Sequence, residues 1–271
     1  MSVDAAAPRG IRLPRLEAVV VVAALCAVAA IAWALTIDSA AEMGNGPGTM
    51  GQRLGAFLVF WVVMMAGMML PTVAPVAVLY LRATRARATG VRRVGRVAVL
   101  LLGYLGAWAV IGLPVYAAAL GADALVDHAP GAAPWVGAGI LLVAGYYQLT
   151  PMKDACLTRC RSPLGFLMRF GSFAGRLQDL RVGVYHGAFC IGCCWALMGV
   201  LVAVGLMNVA WMAGLAALML LEKTWRYGRE LGRVCGVVLI AIAFFVPWNP
   251  QLVPGLQPDG GTAGAVRHDH R

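Results

Sequence analysis

The sequence predicts an all-α fold: a polytopic transmembrane helical bundle of about seven spans with a cytoplasmic amino terminus. Three observations carry this. Of 271 residues, 61% are hydrophobic and only 13% charged; the mean hydropathy is +0.79; and the basic residues gather between long apolar runs. No water-soluble domain of this size could cover such a composition with a polar surface, so lipid is the expected solvent and a multi-pass inner (plasma) membrane protein the expected state. A formal net charge of +10 would suggest nucleic acid in a soluble protein. Here the arginines lie in loops, with no aromatic-interleaved basic stripe, so they read as topology determinants and contacts to anionic lipid, and nucleic acid is not an expected partner.

Crossing the hydrocarbon core takes roughly 17–25 apolar residues. Runs of this kind occur at Glu17–Ile37, Leu54–Tyr80, Val94–Leu120, Gly183–Leu206 and Val234–Trp248. Two shorter runs, Pro134–Leu149 and Asn208–Leu221, read as thin or tilted spans or as helices partly buried by their neighbours. Loop charges arbitrate. With Arg9, Arg12 and Arg15 inside, Asp38–Arg53 falls outside, and Arg82, Arg85, Arg87, Arg92, Arg93 and Arg96 return inside. Gly121–Ala133 carries Asp123 and Asp127 but no Lys or Arg and falls outside. Lys153, Arg159, Arg161, Arg169, Arg176 and Arg181 are then cytoplasmic, as are Lys223, Arg226, Arg229 and Arg233. Every basic loop shares one side only if both short runs cross. The resulting division is a cytoplasmic segment at residues 1–16, a transmembrane domain at 17–248 and a flexible external tail at 249–271. A cleaved signal peptide shares the basic flank and apolar core of the first run, but that run is long for one, and its removal would break the charge pattern.

Chemistry concentrates in two runs. Met64, Met65, Met68 and Met69 stand just before Pro71 and Pro75; on a helix they form adjoining rows of one broad face, and the prolines interrupt the hydrogen-bond ladder near the membrane midplane. A pliable packing surface is the plain account of such methionines. His186, Cys190 and Cys193 or Cys194 follow at i, i+4 and i+7 or i+8, one helical stripe ending a turn before Met198. Three Cys and a His on one stripe are harder to ascribe to packing, whereas lone Cys26 and Cys235 read as small buried hydrophobes. Opposite chain directions set the Met cluster and the Cys pair at similar depth, so packing the two helices together would join thiolate, thioether and imidazole ligands. Those soft ligands favour monovalent copper; zinc would accept Cys and His without gaining from Met, and magnesium and calcium want oxygen. A second pair, Cys156 and Cys160, lies beside Lys153, Arg159 and Arg161. Neighbouring cations raise a thiol's thiolate fraction, which suits metal entry or exit, disulfide exchange, or neither. Glu222 with Lys223 reads as a helix anchor at the interface, or Glu222 as a group for ion coupling or helix contact, and His268 and His270 as a solvated tail able to hold metal weakly.

Four phrases taken together are distinctive: Trp61 to Tyr80 with its paired methionines; Thr150-Pro151-x-Lys153-x2-Cys156-x3-Cys160-Arg161-x-Pro163; Cys193-Cys194-Trp195-x2-Met198; and Met207-Asn208-x2-Trp211-Met212 leading to Glu222-Lys223. Over roughly residues 50–247 the chain resembles a prokaryotic family of unknown function described as predicted metal-binding integral membrane proteins. The resemblance implies a helical membrane fold and a bound metal.

Three functions are compatible with these residues. The first is a membrane protein that binds and moves a soft metal, copper ahead of zinc, through an intramembrane Met/Cys site; its partners are lipid, the ion, and a membrane protein or a second copy of the chain. A Walker-type phosphate loop and a phosphorylatable Asp motif are both missing from the chain, which argues against ATP-driven pumping by it alone. The second is a membrane thiol-disulfide oxidoreductase, although no clear external Cys pair is present to take electrons from exported substrates. The third is a structural or assembly subunit whose Met and Cys are packing.

Overall fold

A computed structural model describes residues 15–43, 48–49, 51–84, 90–170 and 177–257. Every regular element among them is helical: α1 (Arg15–Met43), α2 (Leu54–Ala83), α3 (Gly90–His128), α4 (Ala133–Gln148), α5 (Pro151–Arg161), α6 (Pro163–Phe170), α7 (Gln178–Val204), α8 (Val209–Thr224) and α9 (Gly228–Phe245), with short 3₁₀ turns at Pro130–Ala132, Pro250–Leu252 and Pro254–Leu256. Four helices, α1, α2, α3 and α7, are long and apolar enough to cross a membrane. A fifth span would come from the short helices Pro130–Gln148 and Pro151–Arg161, bent by 63° at their junction. The bend follows from local sequence. Pro151 takes the first helical position, where a missing N–H costs nothing, and the Thr150 side chain caps the new helix by accepting from the Lys153 N–H at 3.3 Å. Asn208 opens α8 in the same way, accepting from Trp211 at 3.2 Å.

Pro71 and Pro75 do not end α2, which runs unbroken to Ala83. Each proline still removes one ladder bond, and the Thr72 hydroxyl donates to the Met69 carbonyl at 2.8 Å. Large apolar side chains including Val59, Leu102, Val110, Phe244 and Phe245 face outward.

Glycines decide which helices meet. A β-carbon on Gly183 would stand 1.9 Å from the Leu100 carbonyl oxygen, and one on Gly103 would stand 2.3 Å from that of Leu180. On Gly187 it would press on Ala107 at 2.7 Å. The backbones of α3 and α7 can be this close only because those side chains are missing, since small residues let helix backbones approach closely. Helix α2 packs on α1 and α3, whereas α7 packs on α3, α4 and α5. Gly205 ends α7 at φ +96°, and Gly255 returns against it, where any β-carbon would be 2.1 Å from the Gly205 nitrogen. The first part of the expected tail is thereby packed, with Val253 and Leu256 buried. His268 and His270 lie outside the described residues.

Cys26 departs from its expected place: it is exposed, and Cys235 is only half-buried. Helix α1 packs chiefly on α2, so the remainder of its surface, including Cys26, faces outward.

Gly183→Ala should lower the melting temperature of the detergent-solubilised protein, by an amount equivalent to about 1–3 kcal/mol of overpacking. Gly199→Ala, where a β-carbon meets nothing within 4 Å, should leave it unchanged or slightly raised. Equal melting curves for the two would contradict the close α3–α7 contact.

Candidate metal centre

Helix α7 carries the centre, and its glycine-lined contact with α3 turns the cysteine stripe inward. Cys190, Cys193 and Cys194 are each 1% exposed. Their sulfur atoms all lie within 4.8 Å of one another, and among the described residues they are the one His, Cys, Asp and Glu group of three or more so gathered. Metal–sulfur bonds of about 2.3 Å set two sulfurs on one ion at up to about 4.6 Å, so a single soft ion is within reach of all three after small side-chain movements. The Cys193 and Cys194 thiols donate to the Cys190 carbonyl, at 3.0 and 2.9 Å, which holds them on the same side of the helix.

A fourth thiol comes from α5. Gly192 has no side chain to obstruct Cys156, whose Sγ would be 2.8 Å from a β-carbon there, and the Tyr147 hydroxyl of α4 donates to the Gly192 carbonyl. Helix α5 therefore lies directly on α7, and Cys160 Sγ comes to 3.9 Å from Cys193 Sγ. Cys156 and Cys160 are only half-buried, in contrast to the α7 thiols. All seven cysteines are free.

His186 is buried a turn before Cys190, with its ring centroid 5.7 Å from that of Tyr104 and 5.0 Å from that of Phe166. Its Nδ1 has no hydrogen-bond partner, but the ring stands outside the three-sulfur group. Met198, one turn beyond Cys194, is buried too. Met64, Met65, Met68 and Met69 all lie in the buried face of α2. Of these Met69 reaches toward the thiols, through an intermediary: its Sδ is 3.8 Å from Lys223 Nζ, which is 3.0 Å from Cys190 Sγ. The Met and Cys faces thus communicate through α8, while α2 packs chiefly on α1 and α3, and α7 packs chiefly on α3.

Lys223 has partners that the sequence reading did not name. Its amine contacts Cys190, Met69 and, at 3.4 Å, the Thr72 hydroxyl, while the Tyr104 hydroxyl lies 3.1 Å from Cys190 Sγ on another side. Glu222 points elsewhere. Its Oε1 accepts from Lys153 Nζ at 2.7 Å and from Gln148 Nε2 at 3.3 Å, and the Lys153 ammonium also donates to the Gln148 carbonyl oxygen. Both members of this ion pair are 1% exposed. Gly232 leaves room for them, since a β-carbon there would be 2.8 Å from Glu222 Oε1. The clue was the spacing Lys153-x6-Cys160, which on a helix sets both side chains on one face of α5: one reaches the ion pair and the other the thiols.

Glu222→Gln strands the Lys153 ammonium in a buried site and should cost about 3–5 kcal/mol of stability, because an uncompensated buried charge is left behind. Adding Lys153→Met should recover much of the loss. Additive melting-temperature losses in the double variant would show that the two side chains do not act as a pair.

A family model described as PpoB2, copper chaperone, matches residues 58–246. No curated protein and no solved structure matches the chain.

Proposed function

The chain belongs to the PpoB2 copper chaperone family, and from that premise we propose that it is an integral membrane protein that holds monovalent copper on the buried thiols of α7 and passes it on by ligand exchange. The observation that carries this reading is the three-sulfur group of Cys190, Cys193 and Cys194, enclosed at 1% exposure, with Cys160 at its edge. Thiolates are the strongest soft ligands a protein offers, and an enclosed site free of carboxylates disfavours hard ions. The long apolar helices and their outward-facing Val, Leu and Phe side chains support residence in lipid. In the full topology α8 and α9 also cross, giving seven spans with the basic segments on the cytoplasmic side.

In this function the two cysteine sets divide the work. The buried α7 thiols retain the ion, since water and competing ligands are kept from it. Cys160 provides the exit, because it is half-buried and its sulfur is near enough to Cys193 to enter the coordination sphere before another sulfur leaves. Cys156, a turn earlier on the same face of α5, extends the path. Met69 contributes a weak thioether at the rim, and Met64, Met65, Met68 and Met198 act chiefly as packing. The 3.9 Å approach of Cys160 and Cys193 also favours a second reading, thiol–disulfide exchange, in which that pair would form a disulfide as a partner's disulfide is reduced to two thiols.

Replacing Cys190, Cys193 and Cys194 together by Ser should abolish stoichiometric binding of monovalent copper to the purified, reduced protein while the helical circular-dichroism signal persists, because a hydroxyl does not readily give up its proton to a soft ion. Met69→Leu should weaken binding by less. Full metal occupancy in the triple Ser variant would refute the site. A wild-type protein that binds no copper, but in which Cys160 and Cys193 form a reversible disulfide, would favour the redox reading.

Cys160→Ser separates retention from transfer. Equilibrium occupancy should be unchanged, whereas release to a soluble copper(I) chelator should slow about tenfold, the effect of a loss near 1.4 kcal/mol in barrier lowering. Unaltered release kinetics would remove Cys160 from the path.

A further inference from the structure

Lys223 is an unusual neighbour for a site meant to receive a cation. It is half-buried, and among the described residues no carboxylate lies within ion-pair distance of it. The carboxylate next to it in sequence, Glu222, is engaged with Lys153. An ammonium has three N–H donors and no acceptor, and three acceptors meet it: Cys190 Sγ at 3.0 Å, Thr72 Oγ1 at 3.4 Å and Met69 Sδ at 3.8 Å. Two come from α2 and one from α7, so the positive charge is tethered at the edge of the three-sulfur group.

Building on the copper-binding reading above, we propose that Lys223 is a specificity-determining residue: a fixed internal positive charge that makes the thiol centre select monovalent over divalent soft cations. The physical argument needs no assumption about how many thiolates bind. For a given set of thiolates, the attraction between the ammonium and the sulfur charges is the same whichever ion occupies the centre. The repulsion between the ammonium and the ion scales with the ion's charge, and so is twice as large for a divalent ion at the same position. Enclosure makes this difference count, because the sulfurs are buried and solvent screening is weak. Zinc, the divalent ion that cysteine ligands would otherwise hold well, is the ion most penalised. A monovalent ion bound by two or more thiolates leaves no excess positive charge at the sulfurs, and the ammonium then offsets one unit of the remaining negative charge.

The same geometry accounts for Thr72 and Met69. Both lie on α2, Thr72 next to Pro71 and Met69 two positions before it, and their contacts tether the lysine side chain at the edge of the centre. Tyr104, also within hydrogen-bond distance of Cys190, is uncharged and does not discriminate between ions by charge.

The test is a competition between silver(I), a monovalent soft ion that is not readily oxidised, and zinc(II) on the full chain in detergent with its thiols reduced. Wild type should prefer silver. Lys223→Leu, which removes the charge without adding a metal ligand, should lower the silver-to-zinc affinity ratio about tenfold or more, and Lys223→Arg, which keeps the charge, should stay within about threefold of wild type. Should Lys223→Leu fail to retain its helical signal, Lys223→Gln is read instead, with the same expected fall. A ratio that is unchanged in the neutral variant, or that falls equally in Lys223→Arg, overturns the proposal while leaving the copper-binding reading standing. If wild type binds neither ion, both fall together.

Discussion

Glu222 and Lys223 are adjacent at the end of α8, yet their charged ends diverge, and the arrangement of the candidate centre depends on that divergence. Consecutive residues on a helix point about 100° apart, so one residue pair can serve two separate environments. Glu222 turns to Lys153 and so ties α8 to α5. Lys223 turns to Cys190, Met69 and Thr72 and ties α8 to α7 and α2. Buried charged groups are costly unless matched, and here each has partners of the complementary kind. Four helices are brought into register through two side chains.

The glycine-lined contact of α3 and α7 sets the framework in which those charges work. It places Tyr104 against both His186 and Cys190 and leaves the opposite flank of α7 to α4 and α5. Gly192 then admits α5 by leaving space for Cys156. Close backbone packing and soft-ligand chemistry are therefore parts of one construction: small residues bring the helices near enough for thiols on different helices to come within 4 Å.

For a copper chaperone the useful property is a balance between retention and release. In the proposed function, enclosure of Cys190, Cys193 and Cys194 would favour retention, while the partial exposure of Cys160 and Cys156 would give the ion a way to move in steps, each thiol joining before another departs. A fixed positive charge at one edge would sharpen selectivity without itself binding the metal. The α5 segment, bent away from α4 by 63°, lets a thiol sited in a basic segment of the sequence reach the interior.

The sequence by itself determined the helical character, the long apolar runs and the cysteine stripe, because all three are local: hydrophobic length and the i, i+4, i+7 spacing of His186, Cys190 and Cys193 are read along one segment. It also singled out Glu222 and Lys223, as an interface anchor or, for Glu222, a group for ion coupling or helix contact, without naming a partner on another helix. Only the tertiary structure decided that Glu222 meets Lys153 across 69 positions and that Lys223 meets Met69 across 154. It likewise decided that Cys160 approaches Cys193 and that His186 stands apart from the three sulfurs. The physical reason is that helical periodicity states which residues share a face, whereas the partner of that face depends on the order and closeness of helix packing. Here that depended on glycines whose effect, the room left by a missing β-carbon, has no signature until a second backbone fills it.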